Sequence, residues 1–235
     1  MTLHGQQETE IARCAALVPA AGMGTRLGLG PKALLKLGSR TLLEILLDTL
    51  EQLTDTIVVA APGGRVGEFQ DLLGNRARVI AGGKQRIESI ENLVQATDEP
   101  LLLMQDVARP FVSARLCREV VNLAARHGAA GAFLDPMVPV GQLRADGVVR
   151  NYWPRRSSGI FQAPQAYRKE ILLDAFNKAG GRHFQSPAEM VLDAGFDLAH
   201  AEGENSNIKI TTEWDWTIAR KVIAPMMDID VEEKS

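Results

Sequence analysis

The segment Pro19-Ala20-Ala21-Gly22-Met23-Gly24-Thr25-Arg26-Leu27-Gly28-Leu29-Gly30-Pro31-Lys32 combines four glycines with two cations. Glycine lets a backbone approach an anion and turn its N–H groups toward it, and Arg26 and Lys32 add positive charge. A charge-assisted contact to phosphate contributes roughly 1.5–3 kcal/mol, so the set suits a triphosphate. Three anion-binding patterns compete here with a plain glycine turn whose charges are solvated. A P-loop requires Gly-Lys followed by Ser or Thr, whereas Pro31 precedes Lys32 and Ala33 follows it. A dinucleotide loop requires a third glycine where Leu27 stands. It also needs an acid at the end of the second strand, where the chain reads Ala60-Ala61-Pro62. The third pattern, in which arginine and lysine grip a departing pyrophosphate, meets neither objection.

The loop must be carried by elements that hold it still. Ala15–Val18 is a continuous apolar run directly before it, as expected of a strand buried on both faces. Similar runs at 57–62, 78–81, 101–104 and 130–134 predict further strands, and helical spacing marks 41–53, 65–74 and 113–127. This alternation predicts an α/β fold, a three-layer Rossmann-like domain on a mostly parallel sheet. Ligands of such folds sit outside the carboxyl ends of the strands. After Asp135 the rhythm breaks. Residues 136–155 are rich in proline and glycine, and Ala145-Asp146-Gly147 forms a turn signal between β-prone segments, which predicts a projecting β-arm. Ser186-Pro187-Ala188-Glu189 and Thr212 to Asp215 read as helix-starting capping boxes, the first helix ended by Gly195 and the second reaching Ile223. With no repeat and no linker, the reading is one domain over 13–224 with an arm at 136–155 and flexible tails at 1–12 and 225–235.

Composition narrows the classes. A chain of 235 residues with 46% hydrophobic and 23% charged residues is not intrinsically disordered. A net charge of -3 and 5% aromatics argue against nucleic acid as a partner. No apolar run reaches the roughly 18–20 residues of a membrane span, and the polar start lacks a signal-peptide core, so a soluble, cytoplasmic protein without a membrane partner is expected. Cys14 and Cys117 read as two buried, reduced thiols. His4, His127, His183 and His200 accompany no nucleophile motif.

Ala20-Ala21-Gly22-x-Gly24-x-Arg26 with Pro31-Lys32 resembles the loop of sugar nucleotidyltransferases. Four further motifs follow in order: Gly82-Gly83-x-x-Arg86-x-x-Ser89, Gln105-Asp106-Val107-Ala108-Arg109-Pro110, Gln162-Ala163-Pro164-Gln165 and Asn207-Ile208-Lys209-Ile210-Thr211. Together they resemble the methylerythritol phosphate cytidylyltransferase (IspD) family of isoprenoid biosynthesis, from about Ala15 to Ala219. The resemblance implies a CTP-dependent cytidylyltransferase in which an acceptor oxygen attacks the α-phosphorus and pyrophosphate leaves. It implies that Arg26 and Lys32 hold the triphosphate as catalytic residues, with Lys209 at the α-phosphate or acceptor. Pro19, Ala20, Ala21, Gly22 and Gly24 would belong to the nucleotide site, as would Gly82, Gly83, Arg86 and Ser89 around the cytosine. Asp106 and Val107 would complete that site, with Mg2+ on Asp106. Arg109, Arg155, Arg156 and Lys209 would meet a small anionic acceptor. Arg155 would act catalytically across a homodimer that exchanges arms. Taken alone, Asp106 also suits a helix N-cap, Arg86 an exposed first-turn charge, and Arg155 and Arg156 a solvated pair.

The acceptor half departs from the family pattern. Where an Asp-Thr-x-Lys stretch is usual on the arm, the chain has Pro139-Val140-Gly141-Gln142. The usual Thr-Pro-Gln is Ala163-Pro164-Gln165, the usual His-Asp-Ala-Ala-Arg is Gln105 to Arg109, and the usual Thr-Asp-Glu-Ala is Gln185 to Ala188. Losing a hydroxyl and an ammonium removes partners that a polyol phosphate needs. The expectation is therefore a small phosphonate acceptor, such as phosphonoformate, in phosphonate biosynthesis. The alternatives are 2-C-methyl-D-erythritol 4-phosphate and, from another class, a non-catalytic nucleotide-binding module. The presence of Arg26, Lys32 and Lys209 weighs against the last.

Overall fold

Strand β1, Cys14–Pro19, lies in the interior of the sheet, and its alternate side chains feed two separate cores. The computed structural model describes residues 12–22 and 30–231. After β1, the two-residue strands β2 (Lys36–Leu37) and β3 (Arg40–Thr41) form a small hairpin that leads into helix α1, Leu42–Leu50. Thr41 caps this helix reciprocally with Glu44, and its apolar leucines turn inward. Then come β4 (Ile57–Ala61), α2 (Val66–Leu73), β5 (Arg78–Ala81), α3 (Arg86–Gln95), β6 (Leu101–Met104), α4 (Ala114–His127) and β7 (Ala129–Leu134). The arm is β8 (Val140–Leu143) paired with β9 (Val149–Trp153). It returns to the sheet as β10 (Ile160–Arg168), followed by α5 (Lys169–Ala179), α6 (Pro187–Asp193), β11 (Ala199–Glu202) and α7 (Glu213–Ile218). A π turn at 219–223 then runs into α8, Ala224–Met226.

The seven-stranded sheet runs β11-β7-β10-β6-β1-β4-β5 and is parallel except for β10. Cys14, Ala16 and Val18 pack with α1, α2 and α4 on one face. Ala15 and Leu17 pack with α3, α5 and α6 on the other. The three-layer, mostly parallel architecture is thus as the alternating runs predict. Chain order reverses across β1, with β4 and β5 on one side and β6 on the other. A crevice therefore opens at the carboxyl ends of β1 and its neighbours, where α/β sheets bind ligands.

The predicted arm is a hairpin whose turn places Gly147 at φ +82, with the Gly147 N–H donating to the Arg144 carbonyl at 2.9 Å. Its apolar side chains stay in solvent: Met137 is 85% exposed and Tyr152 69%. Two strands of the main sheet were not foreseen, β10 and β11, nor was the short β2–β3 hairpin. The Gln162-Ala163-Pro164-Gln165 stretch carries no apolar run and includes a cis Ala163-Pro164 peptide, yet β10 lies between β6 and β7. The C-terminal tail is also shorter than expected. Residues 225–231 are placed against the protein, because Ile229 and Val231 pack on a third core of Leu35, Leu37, Leu42, Ile45, Phe111, Ile210 and Ile223. Alternating aspartates in this stretch hide its apolar face in the sequence. Residues 1–11 and 232–235 lie outside the described residues. Cys14 and Cys117 are free and buried, and burial pushes the Cys14 thiol up to about 11. Among the described residues no helix is long and apolar enough to cross a membrane.

Candidate active site

A cleft of about 350 Å³ opens at the carboxyl ends of β1, β5 and β6. Its walls gather residues from four separate motifs: Pro19 to Gly22, Lys32, Gly83 to Arg86 with Ser89, and Asp106 to Ala108 with Lys209. Among the described lining residues four are cationic, Lys32, Lys84, Arg86 and Lys209, and one is acidic, Asp106. In a chain of net charge -3 this is a local excess of positive charge, suited to collecting a polyanion.

Asp106 is the electrostatic centre. One of its oxygens accepts from the Arg86 guanidinium, and Oδ2 accepts from Lys209 Nζ at 2.8 Å. Its side chain is 13% exposed. Burial alone would raise its pKa; the charges of Arg86 and Lys209 and their hydrogen bonds outweigh that and hold the carboxyl well below the usual range. Asp106 is not a helix cap, since Ser113 caps α4. Arg86 does begin α3, but its head group is held across the cleft.

Lys32 follows the glycine segment in a single helical turn, and its Nζ donates to the Ile210 carbonyl at 2.7 Å. Its charge also reaches Asp215. Partial burial raises the Asp215 carboxyl. The N–H groups of Thr212 and Thr211, the Thr212 hydroxyl and Lys32 together hold it below its ordinary value. The lysines of the first and last motifs are therefore fixed to one loop, because the Ile210 N–H in turn donates to the Ala108 carbonyl at 2.8 Å.

The glycine pair is sterically required. A Cβ on Gly82 would lie 2.5 Å from Ala21 Cβ, and one on Gly83 would lie 2.3 Å from Glu88 Cβ. Ser89 is 3% exposed; its hydroxyl accepts from the Gly83 N–H at 3.0 Å and donates to the Gln85 carbonyl at 3.2 Å. This fixes the loop that would lie beside a small base.

Some expected residues are not brought to this cleft. Arg109, Arg155 and Arg156 are absent from its described walls. Arg109 instead donates from Nη1 to the Asn207 carbonyl at 2.6 Å, and burial pulls its pKa down against the effect of Asp106. Among the described residues the Arg155 side chain bonds within its own arm, donating to the Met137 carbonyl at 3.4 Å. Gly24 and Arg26 lie outside the described residues. Lys84 and Gln85 were missed; the spacing Gly82-Gly83-x-x-Arg86 contained them without marking their role.

The family model described as IspD, 2-C-methyl-D-erythritol 4-phosphate cytidylyltransferase, matches residues 14–224. The chain belongs to the IspD family. A Deinococcus radiodurans 2-C-methyl-D-erythritol 4-phosphate cytidylyltransferase is 36% identical over 220 residues, covering 90% of each chain. The Thermus thermophilus enzyme of the same name is 36% identical over 209 residues, 86% of this chain and 93% of that one. A crystal structure of a Thermus thermophilus enzyme superposes with a TM-score of 0.77 at 33% identity, covering 90% of this chain and 98% of that one. The Anaerococcus prevotii 4-diphosphocytidyl-2C-methyl-D-erythritol synthase gives 0.78 at 26% identity, with 92% and 98% covered. As an IspD-family member the chain is a nucleotidyltransferase, and specifically a CTP-dependent cytidylyltransferase. These relatives lend no support to the expected phosphonate acceptor.

The family role expected for Mg2+ on Asp106 does not fit the carboxylate found here. Both its oxygens already accept from cations, and among the described residues no cluster of three or more acidic, histidine or cysteine side chains could hold a metal. A divalent ion in this cleft would need most of its ligands from nucleotide phosphates and water.

Proposed function

We propose that this IspD-family chain transfers the cytidylyl group of CTP to 2-C-methyl-D-erythritol 4-phosphate. The observation that carries the reading is the 36% identity, across 90% of the chain, to an enzyme of that name. The acceptor's phosphate oxygen attacks the α-phosphorus, a new P–O bond forms, and the bond to the β-phosphate breaks as pyrophosphate leaves. Positioning and charge neutralisation carry such a transfer, and the cationic cleft is suited to both. In this reading Lys32, with Arg26, holds the triphosphate, while Lys209 serves the α-phosphate. Ala20, Gly82, Gly83 and Ser89 border the cytosine, with the neighbouring loop residues Pro19, Ala21 and Gly22. Arg86 and Asp106 hold Lys209 in register. Mg2+ enters this reading only as a companion of CTP that screens phosphate charge. The acceptor is completed by Arg155 and Arg156 through a homodimer that exchanges arms, whereas Arg109 stays on the Asn207 carbonyl and braces the Lys209 loop.

One observation favours the phosphonate as a second reading: on the arm, Val140 and Gln142 stand where a hydroxyl and an ammonium are usual. Pyrophosphate release from CTP, measured side by side, separates the two. Methylerythritol phosphate is expected to give a kcat/KM of about 10⁴ M⁻¹s⁻¹ or more, within the ordinary range for enzymes. Turnover of phosphonoformate without turnover of the polyol phosphate would overturn the proposal and favour the second reading.

A further inference from the structure

Gln162 is a polar side chain in a central strand, 4% exposed, and the cleft does not use it. Its amide is fully spent on the loop that carries Lys209. Nε2 donates to the carbonyls of Glu204 and Asn207 at 3.1 and 3.3 Å, and Oε1 accepts from the Glu204 N–H at 3.1 Å. Asn207 returns the contact, its Nδ2 donating to the Ala163 carbonyl at 2.7 Å. Each strand-and-loop partner therefore uses a side-chain amide to satisfy the other's main chain. The loop is built to receive Gln162: a Cβ on Gly203 would lie 2.6 Å from its Oε1 and 2.9 Å from the Phe133 carbonyl oxygen. Lys209 is two residues beyond Asn207. On the other side, the turn at Arg155–Ser157 joins the strand that holds Gln162.

We infer that Gln162 is a positioning residue that ties the root of the arm to the Lys209 loop. It sets where the ammonium sits when the acceptor attacks. The inference rests on the proposed function in one respect, that Lys209 works at the reacting phosphate. A hydrophobic side chain in the same place would leave the Glu204 N–H without its partner and let the loop relax, while the glycine floor around Gly83 and Ser89 stays as it is.

The experiment is a kinetic double-mutant cycle, run with whichever acceptor the unsubstituted enzyme turns over. Gln162→Met keeps length and removes the amide. It is expected to lower kcat about tenfold or more while KM for CTP stays within about twofold. In a Lys209→Gln background the same substitution is expected to change kcat by less than about twofold, because its effect passes through the lysine. Gln162→Glu, which keeps one oxygen for the Glu204 N–H but sets the other against two carbonyls, is expected to lose kcat similarly. Unchanged kcat overturns the inference, and so does an equal fold loss in both backgrounds. Loss of activity together with loss of the folded state in both variants also counts against it, since Gln162 would then serve stability alone. If the unsubstituted enzyme turns over neither acceptor, the proposed function fails and this inference falls with it. An active enzyme indifferent to Gln162→Met overturns this inference alone.

Discussion

At the scale of single residues, one carboxylate organises the cleft. Asp106 takes Arg86 from twenty residues upstream and Lys209 from far downstream, and neither pairing is visible in the spacing of the motifs. What the sequence does show is the cost that makes the pairing necessary. A carboxylate buried just past the apolar run Leu101–Met104 needs cations, and Asp106, 13% exposed, obtains them from the more exposed Arg86 and Lys209. The linkage has a definite sign. The folded-state pKa is depressed, so ionised Asp106 stabilises the fold above its unfolded value of about 4, and that contribution drains as pH falls toward the lower folded value. Asp106→Asn is therefore expected to destabilise the protein most at neutral pH, with the gap to the unsubstituted chain closing below about pH 4. Urea midpoints at pH 7 and pH 3 check this. A gap that stays constant, or widens in acid, would mean that Asp106 is not the group holding the two cations.

At the scale of elements, the phosphate-side lysine depends on a segment expected to be a loose tail. Gly38 turns the β2–β3 hairpin at φ +66, and a Cβ there would lie 1.8 Å from the Asp230 carbonyl oxygen. The hairpin after Lys32 and the segment after Met227 are thus pressed together over the third core. Gly38→Ala is expected to cost about 1–2 kcal/mol for the left-handed backbone alone, and more while the C-terminal segment is present. In a chain ended after Met227 only the conformational part should remain. Thermal melts of the four combinations test it, and an equal cost in both chain lengths would remove the contact from the account. The same core shows what was legible. Strands with continuous apolar runs, and helices opened by Ser186 or Thr212, could be read directly, because burial and capping leave marks in residue type. β10 could not, because its buried positions include Gln162, which is satisfied by a loop some forty residues away. The Gly82-Gly83 pair of the site was legible for a related reason: close approach to Ala21 and Glu88 demands glycine there. Arg109 was not, since nothing in its local sequence tells that its donor goes to the Asn207 carbonyl.

At the scale of the whole molecule, the arm is the part that a lone chain leaves unused. Leu143 is 67% exposed, Val149 60% and Tyr152 69%, an apolar surface that a single copy does not cover. The arginines at its base, Arg155 and Arg156, are absent from the described walls of the cleft in their own chain. Both facts are accounted for if a second copy receives the arm and the partner cleft receives Arg155. The prediction follows from the symmetry of such an exchange. Lys32→Ala disables the cleft of its own chain, and Arg155→Ala disables the cleft of the other. Each variant alone should be inactive. In a mixed dimer one cleft carries both defects, while the other has an intact Lys32 and receives an intact Arg155. With random exchange half of the dimers are mixed, so activity should recover to about a quarter of the unsubstituted level. If Arg155 served its own chain, both subunits of the mixed dimer would remain defective. Exchange can be shown separately with differently tagged subunits. Mixed dimers that form and stay inactive would place Arg155 in its own chain's site and leave the exposed arm without a catalytic role.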